Sequence, residues 1–530
     1  MTTPRAAQLA RSAGLTGAAT LTSRVLGLVR DQVLAAIFGA GNDMDALVVA
    51  FRIPNLVRDL FAEGAMSAAF VPTFTSRLTL NGKDDAWRLA NNLLNALLVI
   101  TGLFVAAGFV FARPLVTAYA GDFDAVPGKL DLTIRLTRLM LPFLPMVAVA
   151  AAVMGMLNSL HHFFVPAFAP AMFNVATIAC AFLLVPLMPS LGLAPIMAIA
   201  IAALAGGALQ VLVQWPPLRR EGFRYRASLD LHEPGLHRIL VLMGPGTIGL
   251  AATQVNLFVN TLLATSQGPG AVSWLSYAFR LMYLPIGLFG VSIATAALPA
   301  VSRHIAVQDE AGVRHTTAQA IAMMLVLNVP ATFGLITLAD PIVRLLFERG
   351  HFTPADTAAT AAALRLYAVG LVGYSTARIT SPVFYAMGRS RVPVAVSAGT
   401  VALNLAANIA LVRAMGFRGL ALGTSLAMLA NGVVLLVLLR QRLGRGDDRY
   451  LGVTLAKTVA AALVMAAVAW GVERLAAGVM GGPGTLVQAA RLGSAIAAGL
   501  AALAVVARLL RIRELDSAIE AARARVPRAL

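Results

Sequence analysis

The sequence predicts an all-α polytopic membrane protein, with about fourteen transmembrane helices arranged as two six-helix pseudo-symmetric lobes plus two C-terminal helices. Three observations carry this expectation. Of 530 residues, 59% are hydrophobic and 12% charged, where soluble domains run at roughly 45–50% apolar and about 25% charged. The apolar residues fall in continuous blocks, each near the ~20 residues a helix needs to cross a bilayer. The chain also repeats itself. "AFRIPNLVRDLF" begins at Ala50 and "AFRLMYLPIGLF" at Ala278, an offset of about 228 residues. "VPAFAPAMFN" at Val165 and "VPVAVSAGTVALN" at Val392 recur at nearly the same offset.

The blocks lie near 12–39, 44–74, 88–112, 133–160, 164–188, 193–216, 237–265, 271–301, 316–339, 357–387, 392–412, 417–439, 451–478 and 485–510. They are continuous rather than alternating, which argues against a β-barrel. Two halves in the same order form a parallel repeat whose pseudo-twofold axis runs along the membrane normal. The expected organisation is an N-lobe over 1–216, a basic cytoplasmic linker over 217–236 and a C-lobe over 237–443. Two further helices follow over 444–512, and an Arg-rich cytoplasmic tail over 513–530.

Net charge is +18. With the N-terminus in the cytoplasm, the outside loops keep only Arg113, Lys129, Arg344, Arg349, Arg413, Arg418 and Arg474, and most of the basic residues fall inside. Both termini are then cytoplasmic. This bias accounts for the charge without a nucleic-acid partner, and no basic run is interleaved with aromatics as a nucleic-acid surface would be. Arg5 and Arg11 precede the first apolar run, which reads as a retained helix rather than a signal peptide. Cys180 is the single cysteine, so no disulfide forms within the chain.

Charge inside the blocks is the functional signal. Arg24, Arg30 and Asp31 lie in the first block, and Arg52, Arg58, Asp59 and Glu63 in the second. Each charge at the bilayer centre costs at least ~2.5–3.5 kcal/mol on insertion scales, so such groups face protein or water. At about 100° per residue, Arg52, Asn55, Asp59 and Glu63 share one face, and Arg24 shares one with Asp31. Arg30 and Arg58 fall on other faces of straight helices, although Gly27 and Pro54 can bend them. At the repeat offset Arg52 corresponds to Arg280, whereas Arg24, Arg30 and Arg58 correspond to Ala252, Phe258 and Ile286. A cavity so lined suits an anion, because guanidinium grips phosphate oxygens as a bidentate fork. The alternative is ion pairing near helix ends with snorkelling side chains. That reading is favoured for Arg135, Arg138, Arg365 and Arg378. Asn404, Asn408 and Thr424 are weak candidates for a coupling Na⁺, with interhelical hydrogen bonding as the plainer reading. His161 and His162 read as turn residues. "GPGTIG" at Gly244 lacks the Lys-Ser/Thr ending of a phosphate loop. No catalytic nucleophile–base set stands out, so a transporter is expected rather than an enzyme.

"SRVLGLVRDQVLAAIFGAG" from Ser23, "DALVVAFRIPNLVRDLFAEGAMSAAFVPTF" from Asp45 and "SWLSYAFRLMYLPIGLFGVSIATAALP" from Ser273 resemble signatures of the MurJ (MviN) family of lipid II flippases. The resemblance implies the multidrug/oligosaccharidyl-lipid/polysaccharide exporter fold, in the bacterial inner membrane. It implies movement of the undecaprenyl-diphosphate-linked peptidoglycan precursor from the cytoplasmic to the periplasmic leaflet, in cell-wall synthesis. Carried over by position, it implies substrate roles for Arg24, Arg30, Arg58 and Arg280. Asp31, Asp45, Asn55 and Glu63 also fall on its motif positions. It implies a lipid-tail groove in the last two helices. Phe279 and Tyr283 stand where some members have acidic residues, and Asn408 where the cation site of some members has a carboxylate. No cofactor is expected, the second departure bears on Na⁺ coupling, and Na⁺ and membrane potential are the two candidate energy sources. A flippase for another polyprenyl-diphosphate oligosaccharide and a cation-coupled multidrug exporter are the alternatives. The exporter would favour intramembrane carboxylates over arginines, the reverse of this chain. A membrane scaffold for the cell-wall synthesis machinery is a further alternative.

Overall fold

A computed structural model describes residues 4–58, 66–444, 447–482, 484–512 and 514. Among these the secondary structure is helical throughout, with no strand. In chain order the helices are α1 (Pro4–Phe38), α2 (Asn42–Arg58), α3 (Met66–Leu80), α4 (Lys83–Val110), α5 (Ala112–Ala120), α6 (Lys129–Met140), α7 (Phe143–Ser159), α8 (Phe164–Leu183), α9 (Met197–Arg220) and α10 (Pro234–Thr265). They continue as α11 (Ala271–Pro285), α12 (Val291–Ala306), α13 (Glu310–Thr337), α14 (Ala339–Phe347), α15 (Pro354–Val369), α16 (Leu371–Ala386), α17 (Arg391–Met415), α18 (Phe417–Leu443), α19 (Asp448–Val479) and α20 (Thr485–Leu509). A π-helical turn, Ile286–Gly290, joins α11 to α12.

Among the described residues, nine helical segments are long and apolar enough to cross a membrane. The charge-bearing helices α2 and α11 are not among them. α2 is described over 17 residues, up to the edge of the described set, and α11 runs 15 residues before the π-helical turn carries it into α12.

Several blocks that read as single spans are broken helices, and the breaks repeat. The block at 133–160 divides into α6 and α7 at Leu141–Pro142, and that at 357–387 into α15 and α16 at Gly370. α4 gives way to α5 at Phe111, and α13 to α14 at Leu338. Each pair of breaks is separated by about the offset of the sequence repeat. Pro142 acts by removing a backbone donor. Gly370 acts by close approach, since a Cβ there would lie 2.8 Å from the Ser425 Cα. The block at 44–74 holds α2 and α3, and residues 59–65 between them lie outside the described set.

The chain forms two compact units, Met1–Ser273 with Arg349–Phe352, and Trp274–Glu348 with Thr353–Leu530. In the first, α1 packs on α8, α8 on α9, α7 on α9 and α2 on α6. α10 lies against α3, α4 and α5. One core cluster joins Phe70 and Phe74 of α3, Trp87 and Leu93 of α4, Met156 of α7, and Phe223. Phe51, Phe143 and Phe173 form a ring triad with centroids 5.6–5.7 Å apart.

In the second unit α17 packs on α18, α19 on α20, α13 on α19 and α16 on α18. Glycine sets the α16–α18 crossing, because a Cβ on Gly432 would overlap the Gly373 carbonyl. This is how small residues let membrane helices approach closely. α15 opens with a capping box in which the Thr353 side chain and the Asp356 backbone and side chain bond reciprocally, with Pro354 in the first turn.

Candidate functional site

The first unit gathers most of the candidate residues. Arg30, late on α1, is held from two sides. Its Nη2 and Nε donate to Asp31 Oδ1 at 2.8 and 3.1 Å, and its Nη1 to Asn174 Oδ1 of α8 at 3.0 Å. Asn174 Nδ2 in turn donates to the Ser23 carbonyl at 3.0 Å. The guanidinium also sits 5.7 Å from the centre of the Phe173 ring. Gly27 faces the same Asn174 amide, and a Cβ there would lie at ordinary contact distance, 3.7 Å. Asp31 therefore orients Arg30, its sequence neighbour, rather than Arg24, which lies two turns away on its own face. Asn174 carries the arrangement and was not legible as a site residue. An asparagine in an apolar helix is its only sequence signal. Arg24 is exposed on α1, and among the described residues no carboxylate pairs with it.

On α2, Arg52 is half-buried. Pro54 interrupts the helix interior, removing the donor that would meet the Ala50 carbonyl. Asn55 Oδ1 is buried with no hydrogen-bond partner among the described residues, and a buried acceptor of this kind asks for one. Arg58 is the last residue of α2 within the described set, and its side chain lies outside that set. Asp59 and Glu63 lie outside the described residues.

Asp45 occupies the most completely satisfied site. It is fully buried in the first turn of α2. Its Oδ2 accepts from Lys129 Nζ at 2.9 Å and from the Gly270 N–H at 2.7 Å. Its Oδ1 accepts from the Ser273 N–H at 2.9 Å and the Ser273 hydroxyl at 2.6 Å. The carboxylate thus caps the N-terminus of α11 from another helix, where orphan N–H groups and the helix dipole favour an anion. Gly268 and Gly270, at φ +89° and +90°, give the turn its shape. Lys129 lies 4.0 Å from the centre of the Phe123 ring. Its sequence position suggests an outside-loop charge, yet its side chain is 2% exposed.

Two further clusters lie where α3, α4, α9 and α10 end. Arg77 bridges Asp85 at 3.1 Å and Glu233 at 2.5 Å, and Glu233 caps α10. A cavity of about 270 Å³ beside them is lined by Thr73, Ser76, Arg77, Gly235 and Arg238. Glu221 accepts from Lys83 and His162, each at 2.9 Å. These bonds, Lys83 foremost, hold its carboxyl below the usual range.

The basic linker is pinned by an asparagine ladder on α4. Asn92 exchanges two hydrogen bonds with the Asp230 backbone, at 2.7 and 2.6 Å. Asn91 bonds the Arg224 carbonyl and the Arg226 N–H, and Asn95 the carbonyls of Arg226 and Ser228. "NNLLN" in an apolar helix is the signal, since three buried amides need partners.

In the second unit Arg280 is half-buried on α11, with the π-helical turn beginning six residues beyond it. Asn404 and Asn408 are fully buried, and Asn408 Nδ2 donates to Asn404 Oδ1 at 2.8 Å. Thr424 Oγ1 bonds the Leu420 carbonyl of its own helix. The Asn404 oxygen is thereby already engaged by an amide. Among the described residues no group of three or more His, Cys, Asp or Glu is placed to hold a metal. Of the arginines read as helix-end residues, Arg365 pairs with Asp340, and Arg138 lies 5.3 Å from the centre of the Phe109 ring.

The family description "Lipid II flippase MurJ" matches residues 34–487. The chain is 35% identical over 439 residues to a probable lipid II flippase MurJ of Vibrio cholerae, covering 81% of this chain and 82% of that one. It is 36% identical over 433 residues to the corresponding protein of Bdellovibrio bacteriovorus, with 81% and 82% covered. Its fold is similar to that of a solved lipid II flippase MurJ in an inward closed conformation, with a TM-score of 0.75, 23% identity, and 94% and 99% of the two chains covered. A multidrug resistance MATE family transporter of the MOP superfamily matches with a TM-score of 0.68 and 16% identity, covering 79% of this chain and 94% of that one. The chain belongs to the MurJ family of lipid II flippases.

Proposed function

We propose that this protein moves lipid II, the undecaprenyl-diphosphate-linked peptidoglycan precursor, from the cytoplasmic to the periplasmic leaflet by alternating access. Family membership over residues 34–487 is the observation that carries the reading. Arg24, Arg30, Arg58 and Arg280 hold the diphosphate, with Arg52 and Asn55 beside them. The Asp31 and Asn174 bonds support this role for Arg30, because they fix its guanidinium without consuming all five donors. The Asn55 oxygen, without a partner among the described residues, is suited to a hydroxyl or amide of the cargo. Asp45 is a latch: its bonds to Lys129, Gly270 and Ser273 tie α2 to α6 and to the start of α11. Asp59 and Glu63 are further gating candidates. The lobes are 1–216 and 237–443, and 444–512 forms a groove for the lipid tail.

The protein sits in the bacterial inner membrane with both termini cytoplasmic. It is not an enzyme, and membrane potential is a candidate drive, since one charge across 100 mV is worth about 2.3 kcal/mol. Transport unaffected by collapse of the potential removes that drive. The deciding experiment depletes the protein in cells and measures lipid II exposed at the outer leaflet. The expected result is loss of exposure, restored by the wild-type chain and not by Arg30→Ala. Unchanged exposure after depletion overturns the reading.

A further inference from the structure

Arg378 reads in the sequence as a helix-end residue, yet it stands near the middle of α16, eight residues before its last residue, Ala386. A guanidinium at such a position is costly unless something answers its charge. In the same unit Arg314, Arg365, Arg440, Arg442 and Arg491 each hold a carboxylate. Among the described residues no carboxylate pairs with Arg378. It instead donates to two phenols, Tyr374 Oη at 2.7 Å and Tyr283 Oη at 3.3 Å. Its guanidinium carbon lies 5.2 Å from the centre of the Tyr374 ring. Phe279 stacks on Tyr283 at 6.1 Å, and Tyr283 meets Tyr374 edge-on at 6.0 Å. The aromatic rings brace the guanidinium while its charge stays exposed.

The chemistry of this cluster is that of an oxyanion receiver. A phenol oxygen that accepts from a guanidinium keeps its own proton for donation. The Tyr374 O–H and the remaining guanidinium N–H donors are therefore grouped around one positive charge, with the Tyr283 ring beside them. Tyr283 also follows Arg280 by three residues on α11, so the two share a helix face.

We propose that Arg378, Tyr374 and Tyr283 form a second anion subsite, which binds an oxyanion of the cargo head group. The proposal rests on the flippase reading above. Two oxyanion sources fit, the diphosphate and the carboxylates of the peptide stem. Binding to the purified full-length chain in detergent separates them, with three probes: undecaprenyl diphosphate, lipid II without its peptide, and complete lipid II. Arg378→Gln is expected to weaken complete lipid II roughly tenfold, the size of one charge-assisted hydrogen bond. Tyr374→Phe loses a smaller factor, and Arg378→Lys, which keeps the charge without the fork, falls between. The unfolding midpoint stays at the wild-type value, which a merely structural role for Arg378 does not allow. An equal loss for all three probes assigns the diphosphate, and a loss confined to complete lipid II assigns a peptide carboxylate. Either supports the subsite. Binding of all three probes by Arg378→Gln within twofold of wild type overturns it. A wild-type chain that binds none of the probes overturns the flippase reading itself.

Discussion

Replacing Asp45 with Asn keeps the side-chain shape and removes one charge. In the structure that charge lies 2.9 Å from a Lys129 ammonium whose side chain is 2% exposed. Two backbone N–H groups and a hydroxyl also donate to it, at 2.6–2.9 Å. The Asn amide turns a donor toward a site built only of donors, and Lys129 is left buried without a counter-charge. Breaking a buried pair on one side costs about 3–5 kcal/mol, a large share of the ~5–15 kcal/mol that typically separates folded from unfolded protein. Lys129→Met leaves the carboxylate three neutral donors and costs less. The double variant removes both charges and recovers part of the loss, so the two changes are strongly non-additive. Unfolding midpoints in a denaturing-detergent titration of the purified protein give the four corners of the cycle. A coupling on the order of 2 kcal/mol is expected, within the range for residues in one network. Additivity within about 0.5 kcal/mol, or an Asp45→Asn cost below about 1 kcal/mol, refutes the argument.

Four further outcomes are expected. Asn174→Ala removes the second support of Arg30 and lowers lipid II binding several-fold while Arg30 remains, the loss of a bond worth roughly 1 kcal/mol; unchanged binding in the variant contradicts the positioning role. Gly432→Ala forces a Cβ onto the Gly373 carbonyl and destabilises by about 1–3 kcal/mol as an overpacked contact, read in the same detergent titration. Asn92→Ala frees the Asp230 N–H and C=O together, and amide hydrogen exchange over 224–230 accelerates roughly tenfold, with no change in α8 as the control. The Glu221 carboxyl is depressed by Lys83 and then His162, so its contribution to stability is present above the unfolded value near 4.5 and is lost as pH falls through the lower folded value. Stability measured from pH 6 down to pH 3 should therefore fall more steeply in wild type than in Glu221→Gln, and parallel profiles count against the bridge.

The helical membrane class was legible because it depends on local quantities: block length, apolar content and the scarcity of charge. The repeat was legible for the same reason, and the helix breaks at Pro142 and Gly370 recur at its offset. Proline announces the first of these. The second depends on how close Ser425 approaches Gly370, which no local pattern records. Among the candidate residues, the sequence singled out Arg30 by the cost of a charge in an apolar helix, but helical periodicity placed Asp31 with Arg24. Adjacent residues on a helix point about 100° apart, so a pairing between neighbours depends on side-chain reach, and here Asn174 on α8 completes it.

Lys129 shows the opposite failure. Loop position made it an outside charge, and burial against Asp45 and Phe123 made it a structural ion. Arg378 is similar, because its distinguishing property is the lack of a described carboxylate partner where neighbouring arginines have one.

By itself the sequence determined that this chain lives in a bilayer, that it is duplicated, and that its charges cluster on a few helices, since hydropathy and repetition are written residue by residue. Only the tertiary structure decided which of those charges meet an opposite charge among the described residues: Arg30 beside Asp31, Lys129 beside Asp45, and Arg77 beside Glu233. Neutralisation depends on distances of about 3 Å between residues as far apart in the chain as Asp45 and Lys129, and packing alone sets those distances.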